Sequence, residues 1–243
     1  MLAGDLALTP LPLGEEGVEV SLLDMTRLAD PASTASRFLT PRERDEYAAM
    51  PHPLRRREWL GARVCLKAML LARGSIGDPA ECEITKDSRG RPRLAFAPGR
   101  PAGVVSDCSL SHKGRYACAC ASRTAGTRVG IDIEEVSPRL LRLAGAFVRD
   151  GDFVARRDPP EERLAILWAL KEACAKAVGG GIGVALGDVV CEETAEGRHR
   201  VRTGDGLELH ARHVLNDGYV IAMCVGEAED NPRKDPENAK TAY

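Results

Sequence analysis

Apolar positions in this chain follow two periods. At about 3.6 residues per turn, Leu164, Leu167, Cys174, Ala175 and Val178 gather on one stripe of a helix. That helix opens at Asp158-Pro159-Pro160-Glu161 and stops at the run Gly179-Gly180-Gly181. A second long helix is predicted from about Pro53 to Arg73, ending at Gly74, and a shorter one begins at Thr40-Pro41-Arg42-Glu43. There a threonine cap, a proline in the first turn and a glutamate three residues on form a capping box. Elsewhere short strand-like runs are bounded by Gly, Pro and charged turns: Glu83 to Thr85, Arg93 to Phe96, Ser109 to Ser111, Tyr116 to Ala121 and Val129 to Ile133. Others follow near Val189 and Val201, over Leu207 to Val214, and over Tyr219 to Val225.

Helix followed by antiparallel strands therefore occurs twice, which predicts an α+β fold of two similar halves, 1–125 and 126–228, with a polar, disordered tail over 229–243. A sequence trace of the repeat exists. Trp59, Cys65, Lys67 and Ala68 recur in the same spacing as Trp168, Cys174, Lys176 and Ala177, and Tyr116-x-x-Ala119 recurs as Tyr219-x-x-Ala222. A cleft between two such halves is the natural place for a ligand.

With 243 residues, 44% of them apolar, the chain can bury a sizeable core. A net charge of −2 and 4% aromatics argue against nucleic acid as a partner. The chain has neither an apolar run of membrane-spanning length nor a basic-then-apolar leader, so a cytoplasmic protein is expected. Its eight cysteines form no C-x-x-C and have no histidine at metal spacing, and they read as buried thiols.

The candidate chemistry sits in two elements. In a strand through Val129, Ile131 and Ile133, those three share one face while Asp132 and Glu134 share the other, with α-carbons roughly 7 Å apart. Such a pair suits either a solvated edge or a bridging hard cation. On the helix, Lys171 lies within the apolar stripe, where it needs either an anion or a path to water. Glu172 and Lys176, four apart, form either a surface ion pair or part of a diphosphate site. Ser111 and His112 are neighbours in a strand and face opposite ways, so they do not make a nucleophile and its base. His210 and His213 face opposite sides for the same kind of reason and do not read as a metal pair. The segment from Pro53 to Arg73 carries Arg55, Arg56, Arg57, Arg63, Lys67 and Arg73 against Glu58 alone, a bias that a dianionic ligand would explain.

Taken in order, the arginine-rich helix before Trp59, Gly90-Arg91-Pro92, Ser111-His112, Gly130-Ile-Asp132-Ile-Glu134 and Trp168-x-x-Lys171-Glu172-Ala-x-x-Lys176 resemble the Sfp-type 4′-phosphopantetheinyl transferases. The resemblance spans roughly Leu39 to Val225. It implies two similar α+β halves with the active site between them. It also implies magnesium-dependent transfer of phosphopantetheine from coenzyme A to a serine of an apo acyl or peptidyl carrier protein, releasing adenosine 3′,5′-bisphosphate. Asp132, Glu134 and Glu172 would then hold magnesium, and Asp132 would lie against coenzyme A as well. Lys171 and Lys176 would hold the diphosphate, with Lys176 and Glu172 catalytic. Ser111 and His112 would meet coenzyme A phosphates, Gly90, Arg91 and Pro92 would lie by the adenine, and Arg57 with Arg63 would meet the 3′-phosphate. No nucleic acid or membrane partner is implied, and a monomer suffices.

The chain departs from the family pattern in three places. Arg91 stands where lysine is frequent, the loop after Lys176 lacks a further lysine among its glycines, and Glu43 and Glu46 occupy a region that is basic in some members. Two other readings accommodate the same residues: a metal-dependent nuclease or phosphatase, and a coenzyme A-binding module without activity.

Overall fold

The computed structural model describes residues 6, 8–28, 30–96, 105–179 and 186–227. The first half runs β1 (Leu8–Pro10), β2 (Val18–Asp24), α1 (Pro31–Phe38), α2 (Pro41–Ala49), α3 (Pro53–Ala72), β3 (Cys82–Lys86), β4 (Pro92–Phe96), β5 (Asp107–Lys113) and β6 (Tyr116–Ser122). The second runs β7 (Thr127–Glu135), α4 (Arg139–Phe147), α5 (Pro160–Val178), β8 (Val190–Ala195), β9 (Arg198–Arg202), β10 (Glu208–Asn216) and β11 (Tyr219–Glu227). One sheet has the order β1-β2-β6-β5, another β7-β11-β10-β9-β8, and β3 pairs with β4 as a separate hairpin. The α+β class and the two similar halves are as expected, and among the described residues no helix is long and apolar enough to cross a membrane.

Alternation along the central strands makes three apolar layers. Ala117, Ala119 and Ala121 of β6 pack with Leu60, Val64 and Leu66 of α3, while Tyr116, Cys118 and Cys120 turn the other way. They meet Val129, Ile131 and Ile133 of β7 and Ile221 and Met223 of β11 in a layer between the two sheets. Beyond β7 and β11, Leu167, Leu170 and Cys174 of α5 close a third layer with Val220, Ala222 and Cys224. Burial on both faces explains why β6, with Cys118 and Cys120, is built of small apolar residues, and all eight cysteines are buried free thiols as expected.

Local signals account for the helix ends. Thr40 accepts from the Glu43 amide, and the Glu43 carboxylate accepts from the Thr40 amide at 2.9 Å, completing the expected box. Helix α5 is different: Pro159 occupies its cap position and no side chain bonds the first turn, so the cap expected around Asp158 is not formed. At its other end Gly179 takes φ 71, the left-handed geometry that ends a helix at little cost to glycine. Gly180 and Gly181, and the tail at 229–243, lie outside the described residues. Strands β1 and β2 and helices α1 and α4 are additions to the predicted elements.

The repeat extends to a buried ion pair in each half. In the first, Lys67 Nζ donates to the Phe38 carbonyl at 2.9 Å and to Glu43 Oε2 at 2.5 Å, while Glu43 Oε1 accepts the Ile84 amide at 3.0 Å. In the second, Lys171 Nζ donates to the Phe147 carbonyl at 2.7 Å and to Asp152 Oδ2 at 2.8 Å, while Asp152 Oδ1 accepts the Cys191 amide at 3.0 Å. Each lysine thus ties its long helix to the end of α1 or α4 and to β3 or β8. The spacing of identities aligns Lys67 with Lys176, but the lysine that repeats its work is Lys171.

Candidate active site

The two sheets meet where edge strand β5 runs beside edge strand β7. They are joined by side chains rather than by a backbone ladder. Asp107 Oδ2 accepts the Val129 amide at 2.8 Å and Ser109 Oγ accepts the Ile131 amide at 3.2 Å, satisfying donors that an edge strand would leave bare. Next along, Ser111 Oγ donates to Asp132 Oδ1 at 2.8 Å. Helix α5 crosses close over β7 because a Cβ at Gly130 would collide with the Ala173 carbonyl and the Ala177 amide. That approach brings Lys176 onto Asp132.

Lys176 Nζ donates to Asp132 Oδ1 at 2.7 Å, Ser111 Oγ at 2.9 Å and the Ile131 carbonyl at 3.0 Å. Its side chain is nonetheless 30% exposed, so the ammonium is packed among acceptors along a stem that still reaches solvent. Burial draws its pKa down, but the charge and hydrogen bond of Asp132 outweigh that and leave it above the ordinary lysine range. Lys176 therefore turns to Asp132, not to Glu172, and the surface-pair alternative does not describe it. The other Asp132 oxygen, Oδ2, is buried without a hydrogen-bond partner among the described residues. A bare buried carboxylate oxygen is costly, and a hard cation is one group that satisfies it.

Glu134 and Glu172 face the same space. Burial and then the Asp132 charge push both above the ordinary glutamate range, with Lys113 pulling Glu134 back and Lys176 pulling Glu172 back. The three carboxylates therefore feel one another, although among the described residues no three acidic, histidine or cysteine side chains are gathered closely enough to hold an ion unaided. Lys113 is paired with Glu134 at 2.7 Å and Lys176 with Asp132.

His112, facing away from Ser111 as alternation requires, lies 3.6 Å from Glu58 and lines a cleft of about 670 Å³ on the first half. Burial lowers its pKa, Glu58 opposes that, and Lys176, Asp132 and Arg55 are all close enough to act on it. His112 therefore bridges the carboxylate group and the cleft. Arg42, Arg55, Arg63 and Lys86 supply positive charge along the cleft, and Trp59 and Met50 supply apolar surface.

Four expectations are corrected by this geometry. Lys171 is fully buried against Asp152 and the Phe147 carbonyl and is not available to a diphosphate. Arg91 turns inward: it forms a bidentate pair with Asp107 and donates to the Val129, Lys176 and Ala177 carbonyls, clamping the end of α5 to the seam. Of that turn, Gly90 and Pro92 belong to the β3–β4 hairpin whose Thr85 and Lys86 border the cleft. Arg57 donates to the Met25 carbonyl at 3.1 Å and does not line the cleft. Ser111 is buried in the Asp132–Lys176 network instead of facing a ligand. Arg63 does line the cleft, but its guanidinium stacks on Trp59, 3.4 Å from the ring centroid. Arg55, grouped above with the rest of the basic run, lines the cleft, and a signal for it existed: Arg55, Trp59 and Arg63 are spaced by four and share one helix face, whereas Arg57 is about 200° round from Arg55. Glu43, buried beneath the cleft, is structural.

The fold and site define a duplicated α+β protein with a carboxylate–lysine centre at the seam of its halves. Residues 128–224, which contain β7, α5 and that centre, match the family model described as the 4′-phosphopantetheinyl transferase superfamily. A 4′-phosphopantetheinyl transferase of Bacillus pumilus is 29% identical over 122 residues, 48% of this chain and 51% of the relative. One of Bacillus subtilis is 23% identical over 159 residues, 63% of this chain and 66% of the relative. The family match lies within the second half of the chain, both relatives are similar at under 30% identity, and the alignment spans about half the length of the first relative. A solved structure of Thermotoga maritima holo-[acyl-carrier-protein] synthase shares 24% identity and a TM-score of 0.35 over 52% of this chain and 72% of its own, a likeness too slight to bear on the fold.

Proposed function

We propose that this protein transfers the 4′-phosphopantetheine group of coenzyme A to a serine hydroxyl of an apo acyl or peptidyl carrier protein. The observation that carries the reading is the convergence of Asp132, Glu134, Glu172 and Lys176 beside a basic cleft that His112 connects to them. The cleft would receive the phosphorylated nucleoside, with Arg55, Arg42 and Lys86 as forks and point charges for its phosphate and Trp59 as an apolar wall.

Asp132, Glu134 and Glu172 would hold magnesium, whose chemistry there is to neutralise diphosphate charge. The bare oxygen of Asp132 and the mutual crowding of the three carboxylates fit that ion, and the diphosphate would complete a ligand set the side chains do not close alone. Glu172 takes the proton of the carrier serine, directly or through water. Burial and the Asp132 charge raise its pKa, which makes it a better base than an ordinary glutamate. The serine oxygen forms a bond to phosphorus as the bond to the adenosine bisphosphate oxygen breaks. Lys176 sits where it can neutralise that leaving phosphate, held in place by Ser111 and the Ile131 carbonyl. The carrier is a soluble partner, and one copy of the chain suffices for the site.

Kinetics of the Glu172→Gln and Asp132→Ala variants test this reading. Release of adenosine 3′,5′-bisphosphate is expected to fall at least about a hundredfold in each, with circular dichroism unchanged. Folded variants of both that retain most of their turnover would refute it.

A further inference from the structure

The odd-numbered side chains of β5 and the turn after it cross to the second half in an unbroken ladder. Asp107 and Ser109 take the Val129 and Ile131 amides, Ser111 meets Asp132, Lys113 meets Glu134 at 2.7 Å, and Arg115 meets Asp217 at 2.7 Å. The rungs at Ser111 and Lys113 are the two that end on carboxylates of the site.

The two ammonium groups among those carboxylates differ in how firmly they are held. Lys176 has Ser111 and the Ile131 carbonyl in addition to Asp132 and would stay in place if Asp132 were engaged elsewhere. Lys113 has Glu134 as its ion-pair partner, its side chain is 34% exposed, and its strand ends at the turn where Gly114 has φ 53. Glu134 is only 15% exposed, and a carboxylate so withdrawn from water needs a counter-charge close by. An ammonium at that oxygen supplies the counter-charge when nothing else does.

We propose that Lys113 is a displaceable counter-ion: it occupies Glu134 in the cation-free protein and sets how tightly the site takes a divalent cation. The inference rests on reading Asp132, Glu134 and Glu172 as the cation ligands. A cation arriving at Glu134 must break the ion pair and then face a positive charge nearby. The flexible, part-exposed lysine stem lets that charge swing toward solvent, so the opposition is partial. Lys113 thereby couples the cation to the anionic substrate. Without a diphosphate the ammonium competes for Glu134, whereas with one the added negative charge favours both positive groups.

Titration of the full chain with Mn²⁺, following free Mn²⁺ by electron paramagnetic resonance with and without coenzyme A, tests this. Lys113→Met is expected to bind Mn²⁺ about tenfold more tightly than the unaltered protein without coenzyme A, and to gain less when coenzyme A is added. Lys113→Arg, which keeps the charge, should behave as the unaltered protein, and Asp132→Asn should weaken binding in every background. If Asp132→Asn weakens binding while Lys113→Met is equal to or weaker than the unaltered protein, the counter-ion role is refuted and the cation site stands. If no protein in the series binds Mn²⁺ with or without coenzyme A, both the role and the reading of the carboxylates as cation ligands fall.

Discussion

Lys171 stands in a motif that implies a diphosphate ligand, yet its place in the structure demands a different outcome on substitution. Its ammonium and the Asp152 carboxylate are both fully buried, 2.8 Å apart, and the Phe147 carbonyl takes a second hydrogen bond. Lys171→Met keeps most of the side-chain volume and deletes the charge, leaving Asp152 buried and unpaired. Breaking one side of a buried pair costs about 3–5 kcal/mol. Asp152 keeps two backbone donors, the Arg149 amide at 2.8 Å and the Cys191 amide at 3.0 Å, which argues for the lower end of that range. For a chain of this size each kcal/mol moves the melting temperature by roughly 2–4 °C, so a loss of about 6–12 °C is expected. Adding Asp152→Asn removes the stranded charge and should restore part of the loss. Urea and thermal unfolding measure the cost, and coenzyme A titration of the still-folded variant measures the site. The expected pattern is a large loss of stability with coenzyme A affinity within about threefold of the unaltered protein; an unchanged unfolding midpoint with tenfold weaker coenzyme A binding would refute the assignment and return Lys171 to the diphosphate.

Two further outcomes follow from the same geometry. Arg55→Ala should weaken coenzyme A binding about tenfold by calorimetry, since a charge-assisted contact is worth about 1.5–3 kcal/mol, while Arg57→Ala should change it little; the reverse ranking would contradict the placement of the cleft. In the second half, His199 Nε2 and His213 Nδ1 lie 2.7 Å apart in a buried pair, and burial followed by the neighbouring His213 lowers His199 from 6.5 to about 4. Groups kept neutral in this way favour the fold fully above their unfolded pKa, and the contribution is lost as protons bind the unfolded chain at lower pH. Stability should therefore fall by about 3 kcal/mol as pH drops from about 6.5 to about 4, at 1.36 kcal/mol per pKa unit. Urea unfolding across that range checks it, and a His199→Gln, His213→Gln variant with an undiminished slope would contradict it.

What was legible in the sequence is what local physics decides. The Thr40 capping box, the extent of α3 and α5, the alternation that puts Asp132 and Glu134 on one face of β7, and the opposed directions of Ser111 and His112 all depend on residues a few positions apart. The alternation of Val18, Val20 and Leu22 in β2 was equally available. Tertiary partners were not. Arg91 looks like an exposed turn residue until Asp107 and the end of α5 arrive from distant parts of the chain. Lys171 and Lys176 are five residues apart on one helix, and nothing in their spacing says that one meets Asp152 and the other Asp132. The repeat misleads at that point, because identity aligns Lys67 with Lys176 while the buried pairing equates it with Lys171.

The central claim is the transfer itself, and intact mass spectrometry of an apo carrier protein tests it most directly. The carrier is incubated with this protein, coenzyme A and magnesium, with and without a chelator, alongside a carrier whose acceptor serine is replaced by alanine. The account predicts a gain of one phosphopantetheine unit on the unaltered carrier, abolished by the chelator and absent from the alanine carrier. No gain on any of several acyl and peptidyl carriers, from protein shown to be folded, would contradict it.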